Sequence, residues 1–215
     1  MQDSQSIKPY RTILKDGEAE LVIQKSRFIG RCFCVQSDGE AGAVLERIRK
    51  QHWDATHNCY AFRVGTGVLS ARSSDDGEPS GTAGAPILNV LTKQELTNTL
   101  CVVTRYFGGV LLGAGGLIRA YSNAAAAAVE QAGVVEMCPA LCYQAEFTYS
   151  QWAAMMPALQ KLCSVTDVAY TECVRVTFSV LDQEAENVQT RLRDLSDGKV
   201  TPVLVSRSMR PIPIP

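Results

Sequence analysis

Nowhere does this chain string together eighteen apolar residues, so no transmembrane helix is expected. Its opening, MQDSQSIKPYRTILKDGE, lacks the apolar core of a secretory signal. Together the two absences point to the cytoplasm. Histidine is nearly missing, with only His52 and His57, too few for a multi-histidine metal site. No two of the eight cysteines are spaced C-x-x-C, as a zinc site usually requires. Most lie in apolar, strand-like runs such as TLCVVTRYF, and read as reduced, buried small hydrophobes rather than a disulfide framework. G-x-S-x-G and H-E-x-x-H are also absent, which leaves hydrolase chemistry little support. Positive charge is not in surplus: there are 14 Lys+Arg against 14 Asp+Glu up to Met137, and 7 against 8 beyond it. An extended electrostatic footprint for nucleic acid is therefore unsupported, and phosphate binding would need a local patch.

What is present is ordinary globular material, 46% hydrophobic and 20% charged, which excludes disorder. TILK, then Asp16-Gly17, then AELVIQK reads as a hairpin with a glycine-containing turn, and RFIGRCFCV as a third strand. Ala43, Val44, Leu45 and Ile48 predict a helix over about 39–52. CYAFRV and NTLCVVTRYF are strands. Between them lie a loop at 73–86, rich in Ser, Asp, Gly, Pro and Thr, and a short helix near PILNVLTKQ. A helix then runs from near Gly116 to a stop at Gly133, with Leu117, Ile118, Tyr121, Ala125, Ala128 and Val129 on its core face. Residues 137–139 read as a boundary, giving domains 1–137 and 138–215. The second reads strand, helix, strand, strand, helix, strand, the βαββαβ order of a ferredoxin-like domain. Ser150 and Asp182 are its expected helix N-caps, Pro157 should kink or shorten its first helix, and the tail PIPIP should trail off.

Chemistry concentrates at TRYFGGVLLGAGGLIRAYS. A buried strand delivers Arg105 and Tyr106 to its end. Gly108, Gly109, Gly113, Gly115 and Gly116 then allow a tight turn with exposed amides, and Arg119 follows in the first turn of a helix whose positive end faces the loop. This suits a phosphate or a carboxylate, although a close-packed strand-to-helix joint needs glycines as well. The spacing fits neither the dinucleotide fingerprint nor the P-loop.

The acidic loop Asp75-Asp76-Gly77-Glu78 admits three readings: a weak Mg²⁺ site, turn chemistry with Asp accepting backbone N–H bonds, or ion pairs to Lys25, Arg27, Arg105 or Arg119 across a cleft. His57-Asn58-Cys59 is a poor catalytic set, because His57 and Cys59 lie roughly 6.6–6.8 Å apart by strand rise. His57 is then either a hydrogen-bonding group in a binding site or a structural residue. Lys25-Ser26-Arg27 either adds positive charge beside the glycine loop or forms a solvated bend.

KSRFIG at 25–30, HNCYAF at 57–62, SSDDGEPSGTAGAPIL at 73–88 and VVTRYFGGVLLGAGGLIRAYS at 102–122 occur in order, and together resemble the YigZ/IMPACT family. The resemblance covers most of residues 10–135, with weaker motifs beyond. It implies an α+β protein. The N-terminal domain should have a βαβ-type fold like the second domain of a small-subunit ribosomal protein and domain IV of elongation factor G. The C-terminal domain should be ferredoxin-like, similar to domain V of that factor. Eukaryotic IMPACT relatives are translational regulators that compete for a protein activator of a stress kinase, a pathway a bacterial member would lack. The function this implies is translation-associated regulatory binding, with the ribosome, RNA or a translation-related protein as partner and no cofactor. The alternative is a Mg-dependent enzyme acting on a nucleotide or phosphorylated small molecule.

Overall fold

The computed structural model describes residues 8–214. Among them the chain is a mixed α/β protein with two sheets and five α-helices. Its contacts divide it into two units, Tyr10–Glu136 and Met137–Pro211. No helix among the described residues is long and apolar enough to cross a membrane.

In the first unit the elements run β1 (Tyr10–Ile13), β2 (Gly17–Ile23), β3 (Ser26–Cys34), α1 (Asp38–Gln51), β4 (His57–Val64), β5 (Ser70–Ser74), α2 (Gly84–Lys93), β6 (Thr99–Tyr106) and α3 (Gly113–Ala132). Five strands form one antiparallel sheet in the order β2-β3-β6-β4-β5. β6 is central and buried from Thr99 to Arg105, with an apolar stretch Leu100–Val103, because both its faces are covered. Leu100 and Val102 pack with Leu45 and Ile48 of α1, whereas Cys101 and Val103 face the cluster built by α2 and α3. The helix α1 begins at a capping pair: the Ser37 hydroxyl accepts the Glu40 N–H, and the Glu40 carboxylate accepts the Gln36 N–H.

The expected hairpin at Asp16-Gly17 does not form. β1 pairs instead with β7 (Val134–Phe147), and Leu14 N–H donates to Gly133 O at 2.8 Å. Gly17 is needed for a different reason: a Cβ there would meet the backbone of Ala128 and Ala132 at the end of α3. The real hairpin joins β2 to β3 at Gln24-Lys25, with positive φ at both (45° and 65°), a conformation two-residue turns share but glycine usually supplies. β5 was not expected, since SARSS is a polar edge strand without an apolar face. The helix α3 begins at Gly113 rather than Gly116, and Ile118 lies outside its core face, 42% exposed.

The second unit contains β7, α4 (Tyr149–Leu162), β8 (Ser164–Tyr170), β9 (Val174–Leu181), a 3₁₀ turn (Asp182–Glu184), α5 (Ala185–Leu195) and β10 (Val203–Pro213). β7 lies beside β9, β9 beside β8, and β10 pairs with β7. Val174, Val176, Phe178 and Val180 alternate inward along β9 and meet Trp152, Met155 and Leu159 of α4 and Val188 and Leu192 of α5. Thr148, not Ser150, caps α4 in a full capping box, and Glu184, not Asp182, stands at the α5 N-cap. α4 runs through Pro157 without a break. The tail does not trail off at once, because β10 extends to Pro213. Prolines at 211 and 213, two apart, remove donors from only one edge of a strand.

Candidate functional site

β6 runs antiparallel to both β3 and β4, so its last residues lie beside the first residues of each. Arg105 pairs with Phe28 on one side and His57 on the other, and the three side chains share the face covered by α3. Tyr106 and its partner Arg27 point to the opposite face. The end of the sheet therefore carries two separate constellations.

On the α3 face, Arg105 is 5% exposed. Its Nη1 donates to Glu78 Oε1 at 2.6 Å and its Nη2 to Ser26 Oγ at 3.3 Å. The guanidinium lies over the rings of Phe28 (5.3 Å) and Phe107 (5.4 Å), while its Nε–H is buried without an acceptor. Glu78 Oε1 also accepts the Tyr121 hydroxyl at 2.7 Å. Burial foremost, then Cys59 and Glu78, push the Tyr121 phenol far above its ordinary value, so it remains a donor. His57 Nδ1 sits 2.8 Å from the Asp76 carbonyl oxygen. A carbonyl only accepts, so Nδ1 carries the proton, and in the neutral ring Nε2, 3.8 Å from Glu78, carries the lone pair.

These groups border a cavity of about 400 Å³, whose remaining walls are mainly Pro79, Phe107, Leu111, Leu112 and Leu117. The N-terminus of α3 opens there. Gly113 and Ala114 line the cavity, Leu112 at the N-cap offers no side-chain hydrogen bond, and the first turn holds no acidic residue.

The acidic loop does three different things. Glu78 pairs with Arg105, the ion-pair reading. Asp75 accepts the N–H groups of Gly81 (2.9 Å), Ala83 (3.0 Å) and Gly84 (2.8 Å), the turn reading, and so caps α2 from nine residues upstream. Asp76 accepts the Asn58 N–H at 2.7 Å and pairs with Arg49 at 3.1 Å. The three carboxylates are thus spent on different protein donors, and no metal-holding group of His, Cys, Asp and Glu occurs among the described residues. Of the three readings of the loop, the ion pair and the turn chemistry are the two whose hydrogen bonds are seen. Cys59 is fully buried and its thiol donates to the Asp75 carbonyl. Burial above all raises it to about 12, so no thiolate nucleophile stands beside His57.

Burial alone would raise the Asp75 carboxyl, but the three amides outweigh it and hold the group below its ordinary value. A carboxyl depressed in the folded chain adds stability above its unfolded-state value and forfeits it as pH falls through the folded value. Wild type is therefore expected to exceed Asp75→Asn in stability at neutral pH, with the gap closing as acid protonates Asp75. Urea titrations over a pH series check this, and a pH-independent gap would refute it.

The single hollow expected from sequence, with Arg105 and Arg119 converging on it, is corrected. Arg119 is exposed and lines a second cavity of about 270 Å³, with Ile23, Gln24, Leu112, Gly116, Ala120 and Asn123. Lys25 is exposed at the hairpin turn and lines neither cavity. Arg27 pairs with Glu20 at 2.8 Å and lies over the Tyr106 ring. The Tyr106 hydroxyl lies 2.8 Å from His52 Nδ1 and donates to Asp54 at 3.3 Å. Gly108 and Gly109 shape the β6–α3 loop, and Gly113, Gly115 and Gly116 belong to the helix rather than the loop. Ser26, Thr56, Leu111, Leu112 and Tyr121 join the site with little in the sequence to mark them. Tyr121 offered one signal, a hydroxyl amid an alanine-rich apolar face, where a buried phenol needs a partner.

The Impact N-terminal domain family matches residues 24–129, which include all of this constellation. The IMPACT family member YvyE of Bacillus subtilis is 40% identical over 88% of both chains. This chain belongs to the IMPACT family. The family member YigZ of Escherichia coli is 33% identical over 83% of this chain and 89% of its own. A solved structure titled "Crystal structure of an hypothetical protein" covers 93% of this chain and 98% of its own, at 28% identity and a TM-score of 0.59. In this IMPACT family chain, the Arg105–Glu78–Tyr121 network and both cavities lie within the unit that contains the matched domain.

Proposed function

We propose that this chain is a cytoplasmic regulatory binding protein of the translation system, which docks the ribosome or a translation-related protein at the cavity beside α3. Family membership supports the translation setting, through the regulators that the resemblance identifies among eukaryotic members. The observation that carries binding over catalysis is the internal settlement of charge. Glu78 is spent on Arg105 and Tyr121, Asp75 and Asp76 on backbone and Arg49, and Cys59 on a carbonyl. What the site offers outward is a mostly apolar wall with a few polar groups, the make-up of a recognition pocket. The near-zero net charge favours a protein surface over extended contact with RNA phosphates. In the second unit, strand neighbours β10-β7-β9-β8 with two helices on the core support a ferredoxin-like reading.

The test is co-sedimentation with purified ribosomes across a salt series. Wild type is expected to associate with only a shallow salt dependence. Leu111→Asp, at a position 85% exposed, is expected to lower the affinity about tenfold or more by placing a charge in an apolar contact. No association at low salt, or equal association by the variant, would overturn this reading.

A further inference from the structure

The ligand chemistry of the larger cavity follows from three features of its lining, on the reading above that the cavity is a binding site. The first is the unfilled Nε–H of Arg105. Two of the guanidinium's nitrogens are engaged by Glu78 and Ser26, and the third is buried with no acceptor among the described residues. A buried donor left unpaired is costly, so the arrangement is incomplete until an acceptor arrives. The second is the start of α3. This twenty-residue helix opens into the same cavity at Gly113 and Ala114, with no side-chain cap and no acid in its first turn. Its free amides and positive dipole end also call for an acceptor, preferably an anion. Glu78 does not repel that anion outright, since Arg105 at 2.6 Å and the Tyr121 hydroxyl at 2.7 Å already answer its charge.

The third feature is the wall. Phe107, Leu111, Leu112, Leu117 and Pro79 bound most of the remaining space, with Phe107 45% and Leu111 85% exposed. An inorganic anion would leave these side chains in water. A carboxylate attached to an apolar body would satisfy the donors with one end and cover the wall with the other. The volume of about 400 Å³ holds a group the size of a large amino-acid side chain with its carboxylate.

We propose that this cavity binds an apolar carboxylate, its charged end toward Arg105 and the α3 N-terminus and its hydrocarbon or aromatic body against Phe107, Leu111 and Leu117. Phe107 lies over the Arg105 guanidinium, so its ring borders the charged end of the cavity as well as the apolar wall. Two sources share this chemistry: a free small acid, and the C-terminal carboxylate of a protein chain ending in an apolar residue.

Calorimetric titration of the full chain tests both. The probes are hexanoate and 3-phenylpropionate, the corresponding amides, inorganic phosphate, and a short leucine-terminated peptide with a free or an amidated C-terminus. At least one free acid or free-terminus peptide is expected to bind saturably, and its amide about tenfold more weakly or worse, the loss of a hydrogen bond to a charged group. Preference for the small acids identifies a metabolite-type ligand, and preference for the peptide a protein terminus. Ala114→Glu places a negative charge where a helix tolerates it well, so the variant stays folded and is expected to lose acid binding by about tenfold. Acids and amides binding alike, phosphate binding as well as the acids, or no binding by any acid would each overturn the proposal. Ribosome association without acid binding removes the carboxylate and leaves the translation setting, whereas acid binding without ribosome association does the reverse.

Discussion

Glu78→Ala is expected to destabilise the chain by about 3–5 kcal/mol, because it leaves the buried Arg105 guanidinium without its counter-charge. Both partners are nearly sealed from water, with side-chain exposures of 6% and 3%, so solvent cannot replace the lost carboxylate. The Tyr121 hydroxyl loses its acceptor at the same time. Denaturant unfolding of the variant measures the loss directly. The pair itself need not add net stability, since two charges must be stripped of water to make it. The double variant Glu78→Leu with Arg105→Met should therefore recover most of what the single change loses. It should not restore acid binding, because the Arg105 donors are gone and only the α3 amides remain at the cavity. A single-variant loss below about 1 kcal/mol, the scale of an exposed ion pair, would show that the pair is not sealed.

Gly108→Ala is expected to be nearly as damaging, by roughly 3 kcal/mol, for a purely steric reason. A Cβ at 108 would run into the Lys25 carbonyl and the Ser26 amide, which are backbone atoms and cannot rotate away. The β6–α3 loop would have to lift from the β2–β3 turn. That movement breaks the bond from Gly108 N–H to Ser26 Oγ at 3.2 Å and displaces the hydroxyl that also receives Arg105 Nη2. The expected signature is coupled: lower stability together with weaker ligand binding. Gly115→Ala serves as the control. No atom lies within 4 Å of the added methyl, and alanine in a helix gains about 1 kcal/mol over glycine. If the two variants unfold at the same denaturant concentration, the close approach at Gly108 is not what holds the loop.

Most of the elements could be read from sequence because their signals are local. The β6 run announces a strand covered on both faces, and the spacing of Leu45 and Ile48 announces α1. What escaped depended on partners far along the chain. Asp16-Gly17 looked like a turn because glycine usually means conformational freedom, yet here it means proximity to the end of α3. The true turn at Gln24-Lys25 has no glycine to mark it. The site followed the same pattern. Arg105, Glu78 and His57 stand out by residue type, and an Arg105–acid pair is one of the pairings the sequence allows. That Tyr121 completes the pair from within α3 could not be read, because hydrophobic periodicity assigns the phenol to the core and says nothing of its hydroxyl. Arg119 was drawn into the same hollow as Arg105 because both are arginines near one helix start, but Leu112 stands between the two cavities and borders each.

The alternation at the end of β6 has a practical result for anyone altering this protein. Arg105 and Tyr106 are consecutive codons, yet one backbone layer divides their surroundings: Glu78, Ser26 and Phe107 on the one hand, Arg27, His52 and Asp54 on the other. Edits to the tyrosine side can remodel an outward-facing aromatic and charged surface without disturbing the cavity behind it. The sheet thus offers two independently tunable faces at a single point in the gene.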